Sequence, residues 1–112
     1  MKRSYREFLQ DILDAIAKIE SFLDGISFED FQLNKEKILA VIKLLEIIGE
    51  AVRNIPDEQR RLYPEIPWQS IVGMKNILVH EYWQVDVTTV WRTVVAFLPL
   101  LKLVILKMLN VG

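Results

Sequence analysis

The stretch Ile38-Leu39-Ala40-Val41-Ile42-Lys43-Leu44-Leu45-Glu46-Ile47-Ile48-Gly49-Glu50-Ala51 decides the fold. It is apolar on nearly every side apart from Lys43, Glu46 and Glu50, and no proline interrupts it, so it reads as the middle of a long helix packed on more than one neighbour. Asn34 is placed to cap that helix, which should run from about Lys35 to Asn54, and Pro56 ends it.

Working outward, the N-terminal side supplies the first packing partner. Between Tyr5 and Leu23 the apolar residues Phe8, Leu9, Ile12, Leu13, Ile16, Ile19, Phe22 and Leu23 recur at steps of three and four, with Asp11, Asp14, Lys18 and Glu20 between them. That spacing predicts an amphipathic helix. Gly25 suits a left-handed helix terminus, and Ser27-Phe28-Glu29-Asp30 offers a serine cap and first-turn acids for a short helix carrying Phe28 and Phe31.

On the C-terminal side, Pro56 to Pro67 holds three of the chain's four prolines and reads as a connection, with room for one helical turn after Pro56. Pro67 sits where a helix start tolerates proline, so a third long helix should run from Trp68 to about Tyr82, with Trp68, Ile71, Val72, Ile77 and Leu78 available for packing. A fourth starts near Val87, uses Trp91, Val94, Val95 and Leu98, and continues past Pro99 with a kink. No strand alternation or internal repeat is evident. The expected architecture is all-α, one domain over residues 1–112, with short connections favouring an antiparallel bundle.

Composition narrows the function classes. Apolar residues make up 52% and charged residues 26% of the 112 positions, which is globular but rich in apolar groups for so short a chain; a partner subunit covering some of them is expected. With no cysteine and one histidine, a thiolate zinc site, a cysteine nucleophile and a multi-histidine metal site within one chain are all excluded. The net charge of −1 argues against a broad basic face for nucleic acid and leaves room only for a local one. The basic start Met1-Lys2-Arg3 leads into no apolar signal region, and Val94 to Leu109 is interrupted by Pro99, Lys102 and Lys107 and reads as a buried or interface helix rather than a membrane span. A cytoplasmic protein without a membrane partner is expected.

Chemistry is concentrated in Lys75-Asn76-Ile77-Leu78-Val79-His80-Glu81-Tyr82. His80 is the one side chain with a reference pKa, about 6.5, near neutrality. On a helix Asn76 and His80 lie one turn apart on one face, and Lys75 and Tyr82 lie two turns apart on an adjoining face. Such groups suit phosphodiester chemistry. An imidazole can take a proton from a ribose 2′-hydroxyl or serve a leaving oxygen, and a cation can stabilise phosphoryl charge without a metal or other cofactor. One histidine cannot fill both proton-transfer roles in one half-reaction, so two subunits meeting across a two-fold axis would complete the site. Gly73 would admit another backbone or a ligand, and Glu50 could orient the polar groups. Each residue has a plainer reading: His80 as a partner for the helix dipole, Tyr82 as packing, Lys75 and Glu50 as solvated charges, and Gly73 as an aid to helix packing. Chemistry alone leaves the function undecided.

The string Ile71-Val72-Gly73-Met74-Lys75-Asn76-Ile77-Leu78-Val79-His80-Glu81-Tyr82, followed by Val85-Asp86 and Val90-Trp91, resembles the HepT-like branch of the HEPN superfamily. Leu45-Glu46-Ile47-Ile48-Gly49-Glu50-Ala51 and Tyr63-Pro64-Glu65-Ile66-Pro67-Trp68 are similar to two further blocks of that family, in the same order, so the likeness extends from about Ile12 onward. The resemblance implies an antiparallel four- to five-helix bundle of HEPN type, a homodimer, and a metal-independent endoribonuclease acting as the toxin of a toxin–antitoxin pair. The family motif is arginine, four residues, histidine, any residue, tyrosine. On that resemblance His80 and Lys75 are the expected catalytic residues, with Asn76 and Tyr82, and Glu50 from the central apolar stretch, as the expected RNA-binding or orienting groups. The implied partner is a minimal nucleotidyltransferase antitoxin that transfers AMP onto Tyr82. Lys75 stands where the family has arginine; it keeps the charge and loses the planar fork that grips phosphate. The alternative is a weakened or inactive HEPN module that only holds the nucleotidyltransferase.

Overall fold

A computed structural model describes residues 4–80 and 86–110, with side chains for 4–74 and 86–110. Every regular element among these residues is helical: α1 (Tyr5–Leu23), α2 (Phe28–Gln32), α3 (Lys35–Arg53), α4 (Asp57–Arg60), α5 (Trp68–His80), α6 (Val87–Arg92), a π-helical stretch Thr93–Phe97, and α7 (Leu98–Asn110).

The helix starts are set by short polar side chains. Ser4, Ser27 and Asn34 each accept a hydrogen bond from a first-turn backbone N–H, the Asn34 Oδ1 to Lys37 N distance being 3.0 Å. Gly25 carries φ +71°, the left-handed conformation that ends α1 and lets the chain turn into α2. The short turn after Pro56 forms as α4.

As the central apolar stretch predicts, α3 is the hub, packing most extensively against α1 and α5 and also touching α2. It buries Val41, Ile42, Leu44, Leu45, Ile48, Ala51 and Val52 against Leu9, Ile12, Ile16 and Ile19 of α1 and the start of α5. Each fully buried aliphatic side chain contributes about 1.5–3 kcal/mol of transfer free energy, so this contact carries much of the stability. Phe28 and Phe31 of α2 pack on Trp91, with ring centroids 5.7 and 5.3 Å apart, and tie α2 to α6.

The final helical run departs from expectation in where its irregularity falls. Instead of a kink after Pro99, the adjustment comes before it: over Thr93–Phe97 the helix widens to a π turn, and Leu98 N–H bonds to Thr93 O. The Thr93 hydroxyl also donates to Thr89 O at 2.8 Å. Proline cannot donate to the carbonyl four residues back, and a π turn is one way a helix absorbs such a defect. The wider turn shifts the register, so Val95, expected in the core, is 55% exposed, while Leu98 and Leu101 are buried. As expected, the helix begins at Val87 and continues past Pro99: Val87–Asn110 is one run of 24 residues, and by length and composition alone it could cross a membrane. One face of it is core, with Val90, Leu98, Leu101, Val104, Ile105 and Met108 buried. α1 meets that face, and Lys102 is ion-paired with Glu20 at 3.2 Å.

Candidate functional site

α5 positions the candidate residues, and its start is firmly held. The Trp68 indole N–H donates to both Arg60 O and Tyr63 O, each at 3.0 Å, which fixes the α4–α5 connection against the first turn of the helix. Trp68 and Ile71 are buried, Val72 and Met74 are half-buried, and Gln69, Ser70 and Gly73 are exposed. α5 therefore has an inward strip through Trp68 and Ile71 and an outward strip through Gln69 and Gly73.

Helical register extends both strips to the candidate positions. At about 100° per residue, positions 76 and 80 continue the outward strip one and two turns beyond Gly73, whereas position 75 falls on the strip of Trp68 and Ile71, about 140° around the helix from position 80. The side chains of Lys75, Asn76 and His80, and Tyr82 altogether, lie outside the described residues.

Gly73 is informative. A Cβ built there meets nothing within 4 Å, so packing among the described residues does not require glycine. A helix-interior glycine costs about 1 kcal/mol relative to alanine.

Glu50 sits on α3 with its side chain 48% exposed and 3.6 Å from Arg53 of the same helix, while its backbone carbonyl accepts a hydrogen bond from the Asn54 amide at 2.8 Å. Exposed pairs of this kind contribute little to stability. Among the described residues no cluster of three or more His, Cys, Asp or Glu side chains is arranged to hold a metal ion.

The α4–α5 connection holds a feature that sequence reasoning passed over as linker. A cavity of about 550 Å3 opens there, with Arg60, Arg61, Trp68, Gln69 and Ser70 in its lining. The adjacent pair Arg60-Arg61 between prolines, a few residues before a helix start, was the available signal.

Among the described residues every regular element is helical, which places the protein in the all-α class, and comparison with known sequences identifies the family. The chain belongs to the HepT-like ribonuclease family, whose model matches residues 12–108. The probable ribonuclease HepT of Thermococcus cleftensis is 50% identical over 102 residues, covering 91% of this chain and 93% of that protein. Two candidate RNases of Methanocaldococcus jannaschii are 43% and 42% identical, each over 90% of this chain, with 87% and 84% of their own lengths covered. No solved structure matches the chain.

Proposed function

We propose that this protein is a metal-independent endoribonuclease whose site is assembled by two copies of the chain, and that it serves in the cytoplasm as the toxin of a toxin–antitoxin pair with a minimal nucleotidyltransferase as antitoxin. The observation that carries the reading is the match to a ribonuclease family over residues 12–108, a span that includes α5 and His80. Its relatives' ribonuclease names support the same activity.

In the reaction, a neutral His80 imidazole removes the proton from a ribose 2′-hydroxyl. The 2′-oxygen attacks phosphorus, the bond to the 5′-oxygen breaks, and the departing oxygen takes a proton from the second copy's imidazolium, leaving a 2′,3′-cyclic phosphate and a 5′-hydroxyl. Lys75 stabilises the charge on the phosphoryl oxygens, and Asn76 and Tyr82 hold the strand. Silencing follows if the Tyr82 phenol oxygen attacks the α-phosphate of ATP and releases pyrophosphate, since the attached AMP places bulk and negative charge where RNA phosphate must bind.

Lysine in place of the family arginine favours a slower enzyme, and it is the one observation that supports the binding-module alternative. The test is incubation of purified protein with RNA in EDTA. Cleavage by the wild type, its loss in His80→Ala and an increase in Lys75→Arg are expected; equal cleavage by wild type and His80→Ala would remove His80 from the mechanism, and no cleavage by either wild type or Lys75→Arg would favour the binding module.

A further inference from the structure

The cavity at the α4–α5 connection lies at the N-terminal end of the same outward strip that leads to His80. Gln69 belongs to both, and from Gln69 the strip runs over Gly73 to positions 76 and 80. Eleven residues of helix separate Gln69 from His80, about 16 Å. At about 3.4 Å per stacked nucleotide that is the span of roughly five nucleotides, and fewer if the strand is extended.

The charges at the far end are unequal. Arg60 is held back: its side chain is only 13% exposed and is paired with Asp57, the cavity's one carboxylate. Arg61 is exposed and lines the same cavity. Its guanidinium is therefore the cation available to an incoming anion, beside the hydroxyl of Ser70 and the amide of Gln69, both exposed. Between this cation and His80 the helix surface is lowered at Gly73, where a strand can lie against bare backbone.

The geometry points to a distal RNA subsite. Arg61, in the cavity with Gln69 and Ser70, binds a backbone phosphate of single-stranded RNA a few nucleotides from the bond cut at His80, and the strand between them follows the outward strip of α5 across Gly73. The subsite is sequence-independent, because it grips phosphate rather than base edges. It rests on the ribonuclease reading for its role in turnover, but not for its ability to bind.

Two measurements separate those dependencies. In the first, kcat/KM is compared between a single-stranded 12-mer and a dinucleotide too short to reach the cavity. Arg61→Ala should reduce the advantage of the 12-mer about tenfold through KM, and Arg61→Lys should restore most of it. In the second, a fluorescent 12-mer is titrated into the cleavage-defective His80→Ala protein with and without Arg61→Ala. The slope of log affinity against log salt should fall by about 0.7, one single-strand phosphate contact. An unchanged length advantage with an unchanged salt slope overturns the subsite. A wild type that cuts neither substrate while the Arg61-dependent slope persists would overturn the ribonuclease reading and leave the subsite standing.

Discussion

The first helix and the last treat solvent in opposite ways. α1 turns Leu9, Ile12, Ile16 and Ile19 inward and exposes Glu7, Gln10, Asp14 and Lys18, so water completes it. The terminal run Val87–Asn110 turns Leu98, Leu101, Ile105 and Met108 inward but leaves Val95, Leu100, Leu103 and Leu106 exposed, and no acidic residue occurs anywhere from Val87 to the end of the chain. Rows of exposed large apolar side chains are uncommon on proteins that work alone. Large apolar side chains are exposed in the N-terminal half too, at Phe22, Leu33, Leu39 and Ile47, but there charged residues are interspersed with them, whereas the terminal run concentrates four on one helix without a single acid.

Substitutions on the two faces of the terminal run should break or sharpen that contrast. Leu101 is fully buried, so Leu101→Ala should lower unfolding free energy in urea by about 2–5 kcal/mol, transfer and cavity terms together. A loss under 1 kcal/mol would mean that the run is only loosely seated on α1. Next in size is the cap of the hub helix: Asn34→Ala removes the acceptor for Lys37 N–H and should cost about 1 kcal/mol. Gly73→Ala should go the other way, raising stability by up to about 1 kcal/mol because space is open at that Cβ. Cleavage should fall in the same variant if strand or partner needs the bare backbone. The smallest change is expected for Leu103, 59% exposed: Leu103→Lys should leave stability within about 0.5 kcal/mol at low protein concentration. A larger loss that grows with protein concentration would show that this face is covered in solution.

The contrast also explains what was legible in the sequence. Ser27, Gly25, Asn34 and Pro56 announce helix ends through local hydrogen-bonding and dihedral chemistry, which needs no knowledge of neighbours. The inward face of α1 is equally plain, because charged residues mark the other side. In the terminal run periodicity fails: with apolar residues on both faces, nothing local distinguishes Val95 from Leu98, and the π turn at Thr93–Phe97 shifts the register that a simple helix would keep. For the candidate site, the sequence supplies the residue types and their order along α5. It does not reveal that Arg61 opens into a cavity beside Gln69 and Ser70, since that depends on how the α4–α5 connection folds back through Trp68.

The proposed mechanism needs the imidazoles of two copies in one reaction, and subunit mixing tests it most directly. Wild-type and His80→Ala proteins are unfolded together in equal amounts, refolded as a mixture and assayed on RNA. If the His80 of both copies acts in one site, only wild-type dimers cleave, and random reassortment should leave about a quarter of the activity of the same total amount of wild type. Verified mixed dimers that cleave, holding the mixture at about one half, would contradict a reaction that draws on the imidazoles of both copies.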